Sequence, residues 1–548
     1  MGGLLAVFGG ERPVELLAQM ATVSPYRGRA HWYSDAGIAI GVQSDTPETH
    51  WFVDTNLVVA LHGYLHFAGV ASGAQSAAQF AQRYQKERAQ LLPLLRGEYA
   101  LLIWDRRARQ LRVYRDPMNG RFVHFSRDQE RLLIATEVRQ ILPLRHGAAT
   151  LAVEQLRQIS STYAYPEPLS PYLEIERFES GALYQIDTPL GRFSKTIVST
   201  DLDRLDSDLA RATPPEQLEQ ATALLEQAVR RTLGDGHHHV FLSGGLDSRL
   251  IYAAALRSLS AQRVSAISHR FNGMDCDESA TIDALHAGLS TKPHYLDYAP
   301  KAFEASLDEL HKRCDYPIFL TSHLTQQLLE PLQGRHGDIV LGGFGGDEIF
   351  TCNPRAMLDC PLTERWRHRA NIVNWLRQSP SSRGLLAFAR DIRAALTPST
   401  VYQAARRFAR GNEAKLDPNQ ARLRWFVLKR KFSTHAFYGM LEQLPASYGL
   451  ELRMPFRDLD LCAFLQSIHP LGQLVDGDPR GLEKTLVNCF VSLPTALTLK
   501  PKVHYTQVVE LGIRSWPEFL NQPYQMKSAM SAFVDRFIAF HSSQPLRK

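Results

Sequence analysis

The sequence predicts an α/β protein in which a β-rich amino-terminal domain is followed by a domain built on a parallel sheet. Up to residue 150, aromatic and β-branched runs alternate with polar turns, as in EYALLIWDRRARQLRVYRD, and this pattern is typical of short strands joined by hairpins. From His239 onwards, apolar runs alternate with helical patterns, beginning with HVFL, RLIYAAALRSL, RVSAISHRF and ESATIDALHAGL. Strands and helices of this size in alternation predict parallel strands with right-handed crossovers.

The 548 residues allow more than one hydrophobic core, and the patterns divide the chain into three parts. We predict a β-rich domain over residues 1–150, a connecting segment with a first helix over 151–235, and the parallel-sheet domain over 236–548. A double proline ahead of Glu216 marks the start of the helix in the connecting segment.

A basic stretch within the last domain predicts a helical insert over about residues 351–435. Between Thr351 and Lys431 the chain carries 17 Lys and Arg residues against 5 Asp and Glu residues. Tryptophans lie among the arginines, which favours a folded insert over a disordered arm. A solvated helical face is the simplest interpretation, and a docking surface or a nucleic-acid patch are the alternatives. We expect no nucleic-acid partner.

Composition excludes several classes of protein. Hydrophobic residues make up 44% of the chain and charged residues 22%, which is typical of globular proteins. No apolar run reaches the roughly 18 residues that a membrane helix needs, and the start, MGGLLAVFGGERP, lacks the basic region of a secretory signal. Six cysteines without a CxxC pair predict neither a zinc knuckle nor a redox site. We therefore expect a cytoplasmic protein without membrane insertion.

The clearest chemical signal is the sequence VFLSGGLDS, which runs from a predicted strand through two glycines into a helix. Gly244 and Gly245 allow the backbone to approach phosphate oxygens, and the N–H groups at the helix start attract anions. Ser243 and Ser248 add hydroxyl donors. A carboxylate beside a phosphate cradle is repulsive unless a cation lies between them, so Asp247 is expected to bind Mg²⁺ on a nucleoside triphosphate.

A second glycine-rich turn, LGGFGGDE, follows another predicted strand, DIVLGG. Ligands of parallel sheets bind beyond the carboxyl ends of the strands, where both turns are expected to lie. Asp347 would supply the second carboxylate for the metal. Gly342 and Gly343 would line the nucleotide.

These motifs carry a family resemblance. SGGLDS matches the PP-loop of ATP pyrophosphatases, and the chain resembles the asparagine synthetase B-type amide ligases through GEYALLIWDRRARQLRVYRDPMNG, CDESATIDA, LGGFGGDE, GLELRMPFRD and LKPKV. The resemblance implies a glutaminase-like (Ntn-type) β-sandwich domain, then a PP-loop ATP pyrophosphatase domain with a parallel sheet. It implies ATP and Mg²⁺ as cofactors, cleavage of ATP between the α and β phosphates, and Leu242 and Ile267 as further nucleotide-binding residues.

Three departures from the family pattern bear on function. The glutaminases of this family use an amino-terminal cysteine, whereas here Gly2 follows Met1 and the first cysteine is Cys276, so glutamine hydrolysis is not expected. Phe344 stands where asparagine synthetases have Glu and β-lactam synthetases have Tyr. The segment between Asp347 and the ELRMPF motif is long and contains the basic insert.

All three departures resemble the lasso peptide cyclases, the macrolactam synthetases of the same family, and so does the run GGFGGDEIFTCNP. This resemblance implies that ATP adenylates an Asp or Glu side chain of a precursor peptide. The α-amine of the peptide then attacks and closes an isopeptide ring. The implied partners are the precursor (core) peptide and a leader peptidase or leader-binding protein.

Two further catalytic assignments come from the family motifs. Lys502 matches the lysine that lies near the α-phosphate, where its charge would stabilise the oxyanion. Glu451 matches the acidic residue of the LExRxPF motif and would orient or deprotonate the amine. The alternatives are a surface lysine beside Pro501 and a buried partner of Arg453.

Other functions remain open at this point. An ammonia-dependent asparagine synthetase and a β-lactam synthetase-like cyclase of a small molecule are the enzyme alternatives. A degenerate scaffold that binds peptide without chemistry is the alternative from another class, although the intact Ser243, Asp247, Ser248 and Asp347 argue against it.

Overall fold

The computed structural model describes most of both domains. The described residues are 2–70, 73–128, 130–162, 167–187, 192–203, 214–298, 303–319, 321–351, 366, 368–378, 438–468, 472–491, 506–514, 516 and 526–543. Most of the predicted basic insert therefore lies outside the described residues, and so does Lys502.

The amino-terminal domain is a sandwich of two antiparallel six-stranded sheets, with one additional two-stranded sheet. Its strands are β1 (Gly3–Gly9), β2 (Ala30–Asp35), β3 (Ile38–Gln43), β4 (Trp51–Val53), β5 (Leu57–Gly63), β6 (His66–Phe67), β7 (Leu95–Arg96), β8 (Tyr99–Asp105), β9 (Gln110–Arg115), β10 (His124–Arg127), β11 (Arg131–Ala135), β12 (Glu176–Arg177), β13 (Ala182–Asp187) and β14 (Phe193–Ile197). The strand orders are β12-β10-β11-β1-β3-β2 and β14-β13-β9-β8-β5-β4.

Side-chain alternation in β1 shows how the sandwich is held together. Leu4 and Phe8 point into a core shared by the two sheets, where the Phe8 ring meets Trp104 at 5.7 Å between ring centroids. Leu5 and Val7 point to the other face, towards a core that includes Leu17 of the first helix. Both faces of the strand are buried, so the run is apolar throughout.

The sandwich extends beyond residue 150, where the sequence places a connecting segment. Strands β13 and β14 pair with each other and extend the sheet of β9, and β12 pairs with β10. The predicted boundary missed them because the Pro-rich run YPEPLSPY interrupts the strand pattern ahead of them.

Helices connect the strands and cover the sheets. They are α1 (Pro13–Val23), α2 (Pro47–His50), α3 (Ala77–Glu87), α4 (Val138–Ile141), α5 (Val153–Thr162), α6 (Pro214–Thr232), α7 (Leu246–Ser258), α8 (Ser279–Leu289), α9 (Phe303–Arg313), α10 (Ser322–Leu329), α11 (Gly346–Phe350), α12 (Arg369–Gln378), α13 (Tyr438–Leu441), α14 (Gln443–Ala446), α15 (Leu459–Ser467), α16 (Gly481–Phe490), α17 (Thr506–Ile513) and α18 (Met526–Ser543). No helix in the described part of the chain has the length and apolar character to cross a membrane.

The carboxy-terminal domain contains the predicted parallel sheet. Its strands are β15 (His238–Phe241), β16 (Val264–Arg270), β17 (His294–Asp297), β18 (Ile339–Leu341) and β19 (Glu451–Arg453), in the order β17-β16-β15-β18-β19. Every pairing in this sheet is parallel. Since β15 and β18 are neighbours, the turns that follow them lie side by side at one edge of the sheet.

Candidate nucleotide-binding site

The loop between β15 and α7 has the geometry of an anion cradle. The Ser248 hydroxyl accepts a hydrogen bond from the Ser243 N–H at 3.1 Å, and the two hydroxyl oxygens lie 3.0 Å apart. The Gly245 N–H donates to the Ser243 hydroxyl at 3.1 Å. These bonds fold the loop back on the first turn of α7, where backbone N–H groups attract anions.

The glycine turn after β18 packs directly on this loop. A Cβ on Gly346 would lie 1.7 Å from the Asp247 carboxylate, and one on Gly343 would lie 3.2 Å from the Asp247 Cβ. Gly345, between them, has a φ of 99°, which favours glycine. Asp347 lies in α11, directly after this turn. The glycines therefore allow the carboxylates of Asp247 and Asp347 to approach each other.

Both predicted metal carboxylates meet a single guanidinium. Arg480, at the start of α16, lies 2.7 Å from the Asp247 Oδ1 through one terminal nitrogen and 2.8 Å from the Asp347 Oδ1 through the other. Its Nε donates to Glu483 at 2.7 Å. Burial lowers the pKa of Arg480, but Glu483 and the two aspartates outweigh it and raise this pKa above its usual value.

A fourth acidic residue occupies the cradle itself. Glu278, which precedes α8, accepts a hydrogen bond from the Gly244 N–H at 3.0 Å. A Cβ on Gly244 would lie 2.7 Å from the Glu278 carboxylate. The guanidinium of Arg249 is buried beneath the loop and donates to the Gly245 carbonyl at 3.1 Å. Burial lowers the pKa of Arg249, although Glu278 and Glu483 oppose this effect.

These residues line a cavity of about 520 Å³. Its charged side chains come from the loop between β15 and α7 (the phosphate loop) and the first turn of α7, from Glu278, from the glycine turn and α11, and from the 478–484 segment, where Lys484 joins Arg480. Its apolar side chains include Leu324 and Leu328 of α10 and Leu441 and Leu444 of the 441–445 segment. We refer to these four leucines as the apolar wall. The cavity thus combines an ionic region with an apolar one.

Most of the residues predicted to bind the nucleotide lie together. Leu242, Ser243, Gly244, Gly245, Asp247, Ser248, Gly342, Gly343 and Asp347 all line the cavity. Ile267 pairs with Phe241 in the sheet and accepts a backbone hydrogen bond from Leu242 at 2.9 Å, but it is not among the lining residues. Phe344 lines the cavity and is 37% exposed.

Glu451 is not brought to the phosphate loop. It is the first residue of β19 and pairs with Ile339, the first residue of β18, so it lies at the amino ends of these strands. The glycine turn lies beyond their carboxyl ends. The Glu451 carboxylate is buried, 2.9 Å from Arg453 and 3.3 Å from Arg121 of the sandwich. Burial raises its pKa, but Arg453 and the other nearby positive charges outweigh burial and hold this pKa well below its usual value. This placement agrees with the alternative of a buried partner of Arg453.

The acidic pair suits magnesium chemically. Mg²⁺ is commonly bound by one or two carboxylates together with phosphate oxygens of the substrate. The Oδ1 atoms of Asp247 and Asp347 already converge on one cationic group. Among the described residues, no set of three or more His, Cys, Asp or Glu side chains could hold a metal without such a substrate.

Sequence comparison identifies the domain that contains this cavity. A family model described as asparagine synthase matches residues 220–530, which is more than half of the chain. The chain belongs to the asparagine synthase family. A model described as a glutamine amidotransferase domain matches residues 75–194, within the sandwich. This asparagine synthase family member therefore pairs an Ntn-type amidotransferase-like domain with a parallel-sheet synthase domain, as the sequence predicted.

Three relatives from other organisms are similar to parts of this chain at modest sequence identity. A Mycobacterium tuberculosis protein that carries the name of a glutamine-hydrolysing asparagine synthetase is 25% identical over 275 residues, which are 48% of this chain and 40% of the relative. Asparagine synthetase 1 of Bacillus subtilis, also named as glutamine-hydrolysing, is 21% identical over 309 residues, 55% of this chain and 48% of that protein. Amidase chry2 of Gibberella zeae is 29% identical over 281 residues, 47% of this chain and 40% of that protein. The chain thus spans about half or less of the length of these relatives.

Structural similarity is weaker. The solved structure of the glutamine phosphoribosylpyrophosphate amidotransferase of B. subtilis is 12% identical in sequence to this chain. The match covers 54% of this chain and 81% of that protein, with a TM-score of 0.26. This score is too low to support a fold assignment.

In this family member, the sandwich region around Gly2 is filled by buried ion pairs. Arg27 is fully buried and donates to the Gly2 carbonyl at 2.9 Å, to Glu442 at 3.0 Å, and to Glu137. The described free cysteines, Cys276, Cys314, Cys462 and Cys489, all belong to the other domain. Among the described residues, no thiol is therefore present where a glutaminase would need its nucleophile.

Sequence reasoning missed four charged residues of the site: Glu278, Arg249, Arg480 and Lys484. One usable signal was the DPRGLEK run, because it places two cations four residues apart at the start of a helix. Glu278 lies within the CDESATIDA motif, but nothing in that motif shows that its carboxylate reaches Gly244.

Proposed function

We propose that this chain is an ATP-dependent carbon–nitrogen ligase that forms AMP and pyrophosphate and closes a macrolactam ring in a precursor peptide. The observation that carries the proposal is one cavity that combines a phosphate cradle, two converging aspartates and an apolar wall. The first two features suit Mg²⁺-bound ATP, and the third suits an acyl substrate with apolar surroundings.

In the first step, the substrate carboxylate attacks the α-phosphorus of ATP. A new bond forms between the carboxylate oxygen and phosphorus, the bond between the α-phosphorus and the bridging oxygen breaks, and pyrophosphate leaves. The hydroxyls of Ser243 and Ser248 and the N–H groups of the loop hold the phosphates. Asp247 and Asp347 would hold Mg²⁺, which supplies positive charge against the charge that grows on the leaving group.

In the second step, an amine attacks the acyl adenylate. A carbon–nitrogen bond forms, the carbon–oxygen bond to AMP breaks, and the amine loses a proton. Lys502, predicted to stabilise the oxyanion, lies outside the described residues, and Glu451 lies in buried ion pairs. Neither Phe344 nor the apolar wall offers a base, so we assign none.

The source of the amine distinguishes a peptide cyclase from a glutamine-dependent enzyme. The ion pairs of Arg27 with Glu137 and Glu442 fill the region around Gly2, and no described thiol lies there. This supports an amine carried by the substrate or supplied as free ammonia. In the proposal, the α-amine of the peptide itself attacks the activated Asp or Glu side chain.

The apolar wall supports a peptide over free aspartate. Recognition of an amino acid needs charged partners for both its ammonium and its α-carboxylate, because buried charges must be paired. Among the described lining residues, the charged side chains come from the phosphate loop, the residue before α8, the glycine turn and the 478–484 segment. The part of the cavity formed by α10 and residues 441–445 contributes the four leucines of the apolar wall, Pro445 and the hydroxyls of Ser322 and Thr325 instead.

A second candidate is an ammonia-dependent asparagine synthetase, which the names of the M. tuberculosis and B. subtilis relatives favour. It shares the adenylation step and differs in the acyl substrate and in the amine.

One experiment separates the two candidates. The purified chain is incubated with ATP and Mg²⁺, and either with a core peptide encoded by a short reading frame beside its gene or with aspartate and ammonium. Peptide cyclisation predicts AMP and a product lighter by one water; asparagine synthesis predicts AMP and asparagine. Arg83→Gln, in a half-buried ion pair of the sandwich, is the control for general effects of substitution. The peptide-cyclase assignment is rejected if only aspartate supports AMP formation.

A further inference from the structure

The proposed ATP site already contains two side chains whose charges match those of its ligand. Arg480, a cation, bridges the two aspartates at 2.7 and 2.8 Å, where the metal is expected. Glu278, an anion, accepts the Gly244 N–H at 3.0 Å, where a phosphate oxygen is expected. Each residue occupies atoms that Mg²⁺ or ATP would need.

We propose that Arg480 and Glu278 are positioning residues that occupy the site in the free enzyme and exchange with Mg²⁺–ATP as a unit. This inference depends on the proposed function only for the identity of the ligand. It adds a coupling between metal and nucleotide: each would bind poorly alone and well together.

The geometry around Arg480 makes such an exchange feasible. Arg480 precedes the first residue of α16, and its carbonyl accepts the Lys484 N–H at 3.0 Å, so the helix fixes the backbone of Arg480 while its side chain reaches into the cavity. Its Nε donates to the buried Glu483 at 2.7 Å, and this pair can persist while the two terminal nitrogens leave the aspartates. The released fork of N–H groups then faces the cavity, and such forks bind phosphate oxygens well.

The charges explain why metal and nucleotide would be coupled. Three carboxylates, from Asp247, Asp347 and Glu483, surround one guanidinium. Mg²⁺ alone has to displace the guanidinium without giving it a new anionic partner. ATP alone has to displace Glu278 and then face the aspartates. Mg²⁺ and ATP together give the aspartates a cation, the guanidinium an anion and the Gly244 N–H a phosphate oxygen.

The test measures binding rather than turnover. Calorimetry determines the Kd of Mg²⁺ alone, of ATP with chelator, and of Mg²⁺ with saturating ATP, for the wild type, Arg480→Gln and Glu278→Gln. Arg83→Gln is the matched control, because it removes an arginine from an ion pair with Glu87 in the other domain.

We expect Arg480→Gln to bind Mg²⁺ alone about tenfold more tightly than the wild type does. The factor by which ATP strengthens Mg²⁺ binding should fall by about tenfold in this variant, which is within the usual range of coupling between two ligands. Glu278→Gln should tighten the binding of ATP in the presence of chelator. The control should behave as the wild type. Unchanged or weaker Mg²⁺ binding by Arg480→Gln would overturn the exchange.

A conservative variant covers the case in which Arg480→Gln does not fold. Arg480→Lys keeps the charge but lacks the fork that reaches both aspartates. It should bind Mg²⁺ alone more tightly than the wild type, and an unchanged Kd would contradict the proposal. If the wild type itself does not bind Mg²⁺ with ATP, the proposed function fails as well; if the wild type binds and both variants match it, only the exchange fails.

Discussion

The two domains of this chain use buried charge in opposite ways. Around Gly2, Arg27 is fully buried and its partners Glu137 and Glu442 are almost as inaccessible, so these charges pair with one another away from solvent. At the phosphate loop, Asp247 and Asp347, which form ion pairs with Arg480, face a cavity, and Asp347 is 48% exposed. The first set holds two domains together, whereas the second can change partners.

The contrast agrees with the proposal that the parallel-sheet domain binds Mg²⁺ and ATP, whereas the sandwich supplies no ammonia. Covalent catalysis needs a nucleophile, and none of the described cysteines lies near Gly2. A site that binds phosphate mainly through backbone N–H groups and hydroxyls tolerates many neighbouring changes, provided that the glycines remain.

Arg27→Met should produce the largest loss of stability. It leaves the buried Glu442 without its guanidinium partner and Glu137 with only Arg139, 3.6 Å away, and removal of one partner of a buried pair costs about 3–5 kcal/mol. Chemical denaturation measures the free energy of unfolding, and the remaining folded protein should bind ATP as the wild type does. A loss of only a few tenths of a kcal/mol would mean that these charges do not hold the domains together.

Asp247→Asn and Asp347→Asn should each reduce AMP formation by about 100-fold or more, because each removes a group expected to hold the metal in the transition state. The melting temperature should change little for Asp347→Asn, since this side chain is half exposed. The readout is AMP released per minute with peptide substrate. Near-normal AMP formation by both variants would exclude the two aspartates from the chemistry.

Glu451→Gln separates the sequence-based role of this residue from its observed position. The amide keeps hydrogen-bonding atoms but leaves Arg453 without its carboxylate partner and Arg121 with Glu98 alone, so we expect a loss of about 1–3 kcal/mol in stability. Turnover per folded molecule should change less than twofold, roughly within the noise of such comparisons. A large fall in turnover with unchanged stability would restore Glu451 as the residue that handles the amine.

Acid should weaken the sandwich gradually, with no effect at pH 7. Burial lowers the pKa of His124 to about 3 and that of His50 to about 4, below the ordinary value of 6.5. The unfolded chain therefore takes up protons first, and stability falls as pH drops from about 6.5 towards 3. His124→Gln and His50→Gln should each flatten this decline in unfolding curves measured at several pH values. An unchanged decline in the double variant would assign the acid sensitivity to other groups.

The sequence predicted that the two glycine-rich turns lie side by side, because each strand-to-glycine turn carries its own signal. SGGLDS and GGFGGD follow buried strands, and a parallel sheet places such turns at one edge. The pattern could not reveal Arg480, which reaches Asp247 across 233 residues of sequence, or Glu278, 34 residues from Gly244. Contacts of this kind depend on packing, which has no local pattern.

Two other expectations show the same limit. The sequence motif identifies Glu451, but it does not show that a three-residue strand places this residue at the amino end of the sheet. The strands beyond residue 150 are short, and their pairing with β9 and β10 follows from long-range contacts rather than from alternation within the segment.

We propose that the cavity activates a carboxylate as an adenylate. The most direct test uses a core peptide whose acceptor carboxyl group carries ¹⁸O, with ATP and Mg²⁺, followed by mass spectrometry of the nucleotide. Attack of the carboxylate on the α-phosphorus predicts that one ¹⁸O atom appears in AMP. Cyclised peptide accompanied by unlabelled AMP, or by ADP and phosphate that carries the label, would contradict the account.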